Sequence, residues 1–263
     1  MTDTAPIQLD VRDYIATIRF NRPDVGNALD LAMATALEQA LRTVHDDESA
    51  RVLVLQGNGP LFCAGGDLHA MHQATDRHDY LLRLTAAAHS AVRHVAALQK
   101  PVVAAVHGAA AGAGLSFVLL ADIVLTTPSA KFTTAYLDVG LTPDCGQSWL
   151  LPRVVGLRRA LELTLLPRRI TADEAVTLGL ATTIVNDELF DAAQALARRL
   201  SSGPALAYGQ ARSLLRADHG AELDHQLDNE AQTIARMATT DQSKALIDHY
   251  ISLPTAGTQP ASQ

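Results

Sequence analysis

Two glycine-rich turns and one isolated acid are the residues of this 263-residue chain best placed to do chemistry. The first turn is Phe62-Cys63-Ala64-Gly65-Gly66-Asp67-Leu68, soon after a β-rich segment, where paired glycines let backbone amides approach a ligand. Alone, it reads more simply as a tight strand-to-helix connection. The second, His107-Gly108-Ala109-Ala110-Ala111-Gly112-Ala113-Gly114, runs into a predicted helix whose first residues carry nothing larger than a methyl group. Such a helix start presents unpaired N–H groups and the positive end of the helix dipole. Because Leu115, Ser116 and Phe117 follow Gly112-Ala113-Gly114, the dinucleotide pattern Gly-x-Gly-x-x-Gly is not met. The acid is Asp144, in Gly140-Leu-Thr-Pro-Asp-Cys-Gly146, where an Asp is also a common turn residue that bonds its own backbone.

Strands and helices must hold these turns. Tyr14–Phe20, Arg51–Gln56 and Pro101–Val106 are short and rich in β-formers, which predicts three strands. Asp30–Asp46 and Arg77–Gln99 carry apolar residues at helical spacing, and Asp30 is a suitable cap for the first. A helix over Gly112–Ala121, a strand over Asp122–Thr126 and helices over Asp173–Leu178 and Leu189–Ser201 continue an α/β alternation. After Gly203-Pro204 the β-formers vanish, which predicts helices over Ala205–Leu215 and Ala221–Ile251 and a loose tail after Pro254. The division expected is a core over 1–202 and a helical region over 203–263.

Composition excludes several functions. With 48% hydrophobic and 19% charged residues the chain can bury a sizeable core, and a formal charge of −7 without a basic cluster argues against nucleic acid. Two distant cysteines, Cys63 and Cys145, indicate neither a disulfide framework nor a structural zinc site, and fit a reducing cytoplasm. His107 and several small residues interrupt the apolar run Val102–Leu120, and the start lacks a basic and apolar leader, so neither a membrane span nor a signal peptide is expected.

The paired turns, together with Arg22-Pro-Asp-Val-Gly-Asn-Ala-Leu29 and the segment around Asp144, resemble the enoyl-CoA hydratase/isomerase (crotonase) superfamily over nearly the whole chain. The resemblance implies a crotonase (ClpP-like) fold with a stacked β-β-α superhelical core and a C-terminal helical part that builds trimers or dimers of trimers. It implies an acyl-CoA thioester substrate, its coenzyme A carried as part of the substrate, with no metal or further cofactor. By motif position the oxyanion hole is the backbone N–H of Gly66 and of Ala113, with Gly114 as neighbour, and Ala64, Gly65, Asp67, Leu68, Tyr136 and His89 are expected to line the substrate. Asp67 reads as well as a helix cap.

The resemblance also narrows the reaction. Hydratases of the family use two glutamates, and the matching positions here hold Ser116 and Tyr136, neither able to share carboxylate work near neutral pH. Asp144 falls where the Δ3,Δ2-enoyl-CoA isomerases and ring-epoxide isomerases carry their acid, and Trp149-Leu-Leu-Pro-Arg-Val-Val-Gly156 is similar to the 1,2-epoxyphenylacetyl-CoA isomerase branch. An isomerase using Asp144 as acid and base is therefore expected. His89 aligns with the catalytic histidine of aryl-CoA dehalogenases, whose nucleophilic Asp corresponds to Asp144 and whose Trp corresponds to Tyr136, so dehalogenase or thioesterase chemistry is an alternative. An atypical hydratase and a non-catalytic CoA-binding protein are the others. On its own, His89 reads as one of several histidines on an Ala-rich helix, with His94 an equal surface candidate.

Overall fold

A computed structural model describes residues 4–186, 188–216 and 220–253. The chain opens with an antiparallel pair, β1 (Ile7–Arg12) and β2 (Ile15–Phe20), followed by α1 (Leu31–Asp46) and β3 (Val52–Gly57). Then come α2 (Leu68–Gln73), α3 (Arg77–Ala97), β4 (Val102–Val106), β5 (Ala109–Ala111), α4 (Ala113–Leu120), β6 (Ile123–Thr126) and β7 (Lys131–Thr133). The second half holds α5 (Gln147–Val155), α6 (Leu157–Leu165), β8 (Ile170–Thr171), α7 (Ala172–Leu178), β9 (Thr183–Ile184), α8 (Leu189–Ser201), α9 (Ala205–Leu215), α10 (Ala221–Met237) and α11 (Asp241–Ser252).

The larger sheet runs β1-β2-β3-β4-β6-β9 and is parallel from β2 onward; the smaller runs β5-β7-β8. Strands buried on both faces must be apolar throughout, and β3 and β4 are buried at every position. Val52, Val54, Val103 and Ala105 face Leu189, Ala193 and Ala197 of α8, while Leu53, Leu55, Ala104 and Val106 join the main core with α1, α3 and α4. Because β3 and β4 are parallel hydrogen-bonded neighbours, with Leu55 beside Ala104, the turns that leave their C-terminal ends emerge side by side. That topology brings the two glycine-rich turns together.

Most predicted elements stand within two residues of their expected bounds, and Asp30 caps α1 by accepting from Met33 N–H at 2.8 Å. The single helix predicted over 221–251 is instead two: the first run ends at Met237, and Thr240 caps the next by accepting from Ser243 N–H. The tail after Pro254 lies outside the described residues. The C-terminal helices are fastened to the core by Arg212 of α9, 7% exposed, which donates to the carbonyls of Val95, Ala96 and Leu98 and pairs with Asp122 at 2.7 Å. Beyond it, α10 packs on α3 and α11 on α2. No helix among the described residues is long and apolar enough to cross a membrane.

Candidate active site

The two turns are joined by their backbones. Cys63 N–H donates to Ala109 O at 3.1 Å and Ala111 N–H donates to Cys63 O at 3.0 Å. The fit leaves no room for side chains: a Cβ on Gly65, at φ +103°, would lie 3.0 Å from Ala111 O, and one on Gly114 would lie 2.3 Å from Cys63 O. Gly66 differs, because a Cβ there would meet nothing within 4 Å. Its neighbours are engaged, Gly65 O accepting from Leu29 N–H and Asp67 N–H donating to Leu29 O, which leaves the Gly66 amide on the other edge of the strand. Gly112 precedes α4 at φ +50° without a side chain to cap the helix. Among the described residues, neither Gly66 N–H nor Ala113 N–H donates to a protein oxygen.

The other expected lining residues divide. Ala64 is exposed and Leu68, half-buried, starts α2. Asp67 is committed elsewhere: its carboxylate accepts from Ala70 N–H at 3.0 Å and pairs with Arg22 at 3.0 Å, so it caps α2 as its position allowed.

Asp144 comes to the second turn through its own peptide. Its carbonyl accepts from Ser116 Oγ and from Tyr136 OH, each at 3.1 Å. Gln147, three residues on, donates from Nε2 to Gly112 O at 3.1 Å, and the Tyr136 ring lies against Gly112. Ser116 and Tyr136 thus serve as buried props for the Asp144 peptide. After Asp144 the backbone turns sharply: Cys145 has φ +57° and Gly146 φ +79°. A non-glycine residue in this region costs about 1–2 kcal/mol and persists only where its surroundings enforce it.

The Asp144 carboxyl is 6% exposed, with Oδ1 2.6 Å from His89 Nε2 and Oδ2 accepting from Cys145 Sγ at 3.5 Å. His89 is not a surface residue; it is 2% exposed, on the face of α3 that meets the core. His94 is only half-buried and contacts the carbonyl of Ser90. Burial alone would raise the Asp144 carboxyl, but the charge and hydrogen bond of His89, with bonds from Cys145, hold it below the ordinary carboxylate range. For His89, burial favours the neutral ring, yet the Asp144 charge and hydrogen bond raise its pKa. The outcome is a buried ion pair. Burial above all raises both the Cys145 thiol and the Tyr136 phenol, with the Asp144 charge adding to it, so both stay protonated. The donor atoms of His89, Asp144 and Cys145 lie within 4.8 Å of one another, a set that could ligate a metal, but the pair occupies its two best donors with each other.

One further residue completes this cluster from the C-terminal helices. Glu230 of α10, 3% exposed, accepts from Gly146 N–H at 2.7 Å and from Ser148 N–H at 3.0 Å, and also from the Ser148 hydroxyl. A signal existed: Glu230 shares a helical stripe with the buried residues Leu223, Leu227 and Ile234. Trp149, half-buried, packs against the core and carries Arg153 over its ring, while Arg159 pairs with Glu162 on the surface.

Comparison with known proteins fits this geometry. The enoyl-CoA hydratase/isomerase family model matches residues 10–252. The chain is 39% identical to 1,2-epoxyphenylacetyl-CoA isomerase of Escherichia coli K12 over 84% of its length and 85% of that protein. It is 33% identical to 4-chlorobenzoyl coenzyme A dehalogenase-2 of an Arthrobacter species, over 87% and 84% of the two chains. A crystal structure of an enoyl-CoA hydratase from Mycobacterium avium subsp. paratuberculosis superposes with a TM-score of 0.86 at 30% identity, covering 94% of this chain and 96% of that one. The chain has the crotonase fold and belongs to the enoyl-CoA hydratase/isomerase (crotonase) superfamily.

Proposed function

We propose that the protein is an acyl-CoA isomerase in which the amides of Gly66 and Ala113 hold the thioester oxygen while Asp144 moves a proton from one carbon of the acyl chain to another. The observation that carries this reading is the tethering of Asp144 to the second turn, through Ser116, Tyr136 and Gln147, beside two unpartnered amides. Loss of a proton next to a thioester puts negative charge on the carbonyl oxygen, and fixed donors stabilise that charge more than the ground state, by about 3 kcal/mol for one donor. For a 3-enoyl thioester, Asp144 takes a C2 proton, the electron pair passes into the carbonyl to give a dienolate, and the same carboxyl returns the proton at C4. One carboxylate is enough, and Ser116 and Tyr136 stand where a second would be required for hydration. The lowered Asp144 carboxyl supports the base form at neutral pH. The trimer implied by the resemblance belongs to the same proposal; Leu157, Leu161 and Leu165, spaced four apart on α6 and 65%, 49% and 62% exposed, offer an apolar stripe for it to cover. The test is a panel of 3-enoyl-CoA thioesters and an aromatic CoA epoxide: isomerised product with one class or the other is expected, and hydration alone would overturn the reading.

A second reading has its own observation, the 2.6 Å contact of His89 with Asp144. In an aryl-CoA halide, Asp144 would attack the ring carbon and expel halide, and water deprotonated by His89 would then hydrolyse the aryl ester. Single turnover in ¹⁸O-water distinguishes the two, since only the second reading labels Asp144.

A further inference from the structure

Glu230 satisfies its carboxylate on one turn and, among the described residues, pairs with no Lys or Arg. Its three donors are the N–H of Gly146, the N–H of Ser148 and the Ser148 hydroxyl, all at the start of α5. These amides open a helix whose N-cap, Gly146, has no side chain, so α10 supplies the cap from across the fold. The capped turn is the one that carries Asp144. Upstream of its left-handed Cys145 the chain is held by Ser116 and Tyr136; downstream it is held by Glu230. The Asp144 side chain projects between these two anchors.

We infer that Glu230 is a positioning residue for the proton transfer, fixing the Cys145–Gly146 turn so that the Asp144 carboxyl keeps its place beside His89. This rests on the assignment of Asp144 made above. Glu230 never touches the acyl group in this scheme.

The charges around it give the inference a distinctive signature. Glu230 faces Asp144 and Cys145 from the turn, His89 from α3 and the phenol of Tyr136; Arg93, also on α3, is paired with Asp224 and Asp228 of α10 itself. Burial first, then the Asp144 charge, pushes its carboxyl up to about 7, against the bonds from Ser148 and Gly146 and the charge of His89. Protonation puts a hydrogen on an oxygen that faces only donors. The anchor therefore weakens as pH falls through neutrality.

The experiment compares wild type, Glu230→Gln, Ser148→Ala and Asp144→Asn as full chains, with 3-hexenoyl-CoA as probe. Misplacing a reacting group by about 1 Å costs on the order of 100-fold, so Glu230→Gln is expected to lower kcat by about 10- to 100-fold with KM little changed. The wild-type kcat should fall below about pH 7 with an inflection that Glu230→Gln lacks. Ser148→Ala, which removes one of three bonds, should show a smaller loss of kcat with the fold intact, and so keeps the test open if Glu230→Gln fails to fold. Independently of turnover, the His89 ring followed by NMR should lose its proton at lower pH in Glu230→Gln, because a nearby negative charge has gone. Unchanged kcat and His89 titration in both Glu230→Gln and Ser148→Ala, or a loss confined to melting temperature, overturns the inference. If Asp144→Asn stays fully active the isomerase reading fails; if it is dead while Glu230→Gln is unaffected, only the role of Glu230 fails.

Discussion

The two halves of the site are built in opposite ways. The amide half comes from two loops whose glycines interlock, so its chemistry belongs to backbone atoms and its precision to the absence of side chains. The carboxyl half is assembled from side chains of three distant segments, His89, Asp144 and Glu230, each of them buried and each dependent on the others for its charge. The first half is a property of fold and packing; the second is a balance of charges that pH can move. Substitutions should therefore fail differently in the two places.

The largest effect should come from Asp144→Asn, which removes the one carboxyl able to carry the proton and should lower isomerase turnover by about 100- to 10,000-fold. Ligand binding should stay near wild type, melting should fall because His89 loses its buried ion-pair partner, and full activity in this variant would remove the distinction altogether. Next is Gly114→Ala in the amide half. Its methyl would lie 2.3 Å from a backbone oxygen, and overpacking of this kind costs about 1–3 kcal/mol, to be read as a lower denaturation midpoint.

The carboxyl half should also give stability a pH slope. His89, raised by Asp144, contributes stability that is full below the ordinary histidine value of about 6.5 and lost as pH rises through its folded value. Glu230 is a raised carboxyl, so its protonated form favours folding; that contribution is full below about 4.5 and lost as pH rises through about 7. Asp144, lowered, acts in the other direction, its contribution present above about 3.8 and lost as pH falls through its folded value. Melting temperature should thus decline from pH 5.5 to pH 8.5, and Glu230→Gln should flatten that decline. An unaltered slope in the variant would show that the group is not titrating there. The smallest effect is expected from Gly66→Ala, where the methyl meets open space: stability should stay within about 0.5 kcal/mol while turnover falls, because the methyl takes room next to the free amide.

The same contrast decides what could be read from the sequence. Strands β2, β3 and β4 and helices α1 and α3 announce themselves by local pattern, and so do the two turns, since glycine spacing is a local property. Helices α5 and α6 do not: Pro152 lies inside the first and reads as a breaker, and β5, β7, β8 and β9 are too short to show a period. Asp144 was legible only through resemblance, because an Asp in a Pro-Asp-Cys-Gly segment is locally a turn residue. His89 shares its helix with other histidines, and nothing local tells which one faces the core. Glu230 required knowing that α10 packs on α3, a contact made over more than a hundred residues.

The Arg212 clamp bears on when the site comes into being during synthesis. Both loops and the Asp144 turn are complete long before α9 is made, yet α10 reaches α3 only from beyond the point where Arg212 grips the carbonyls at the C-terminal end of α3. A nascent chain stopped just short of Arg212 would carry Asp144 and both loops but not Glu230, the carboxylate that fastens the turn after Asp144.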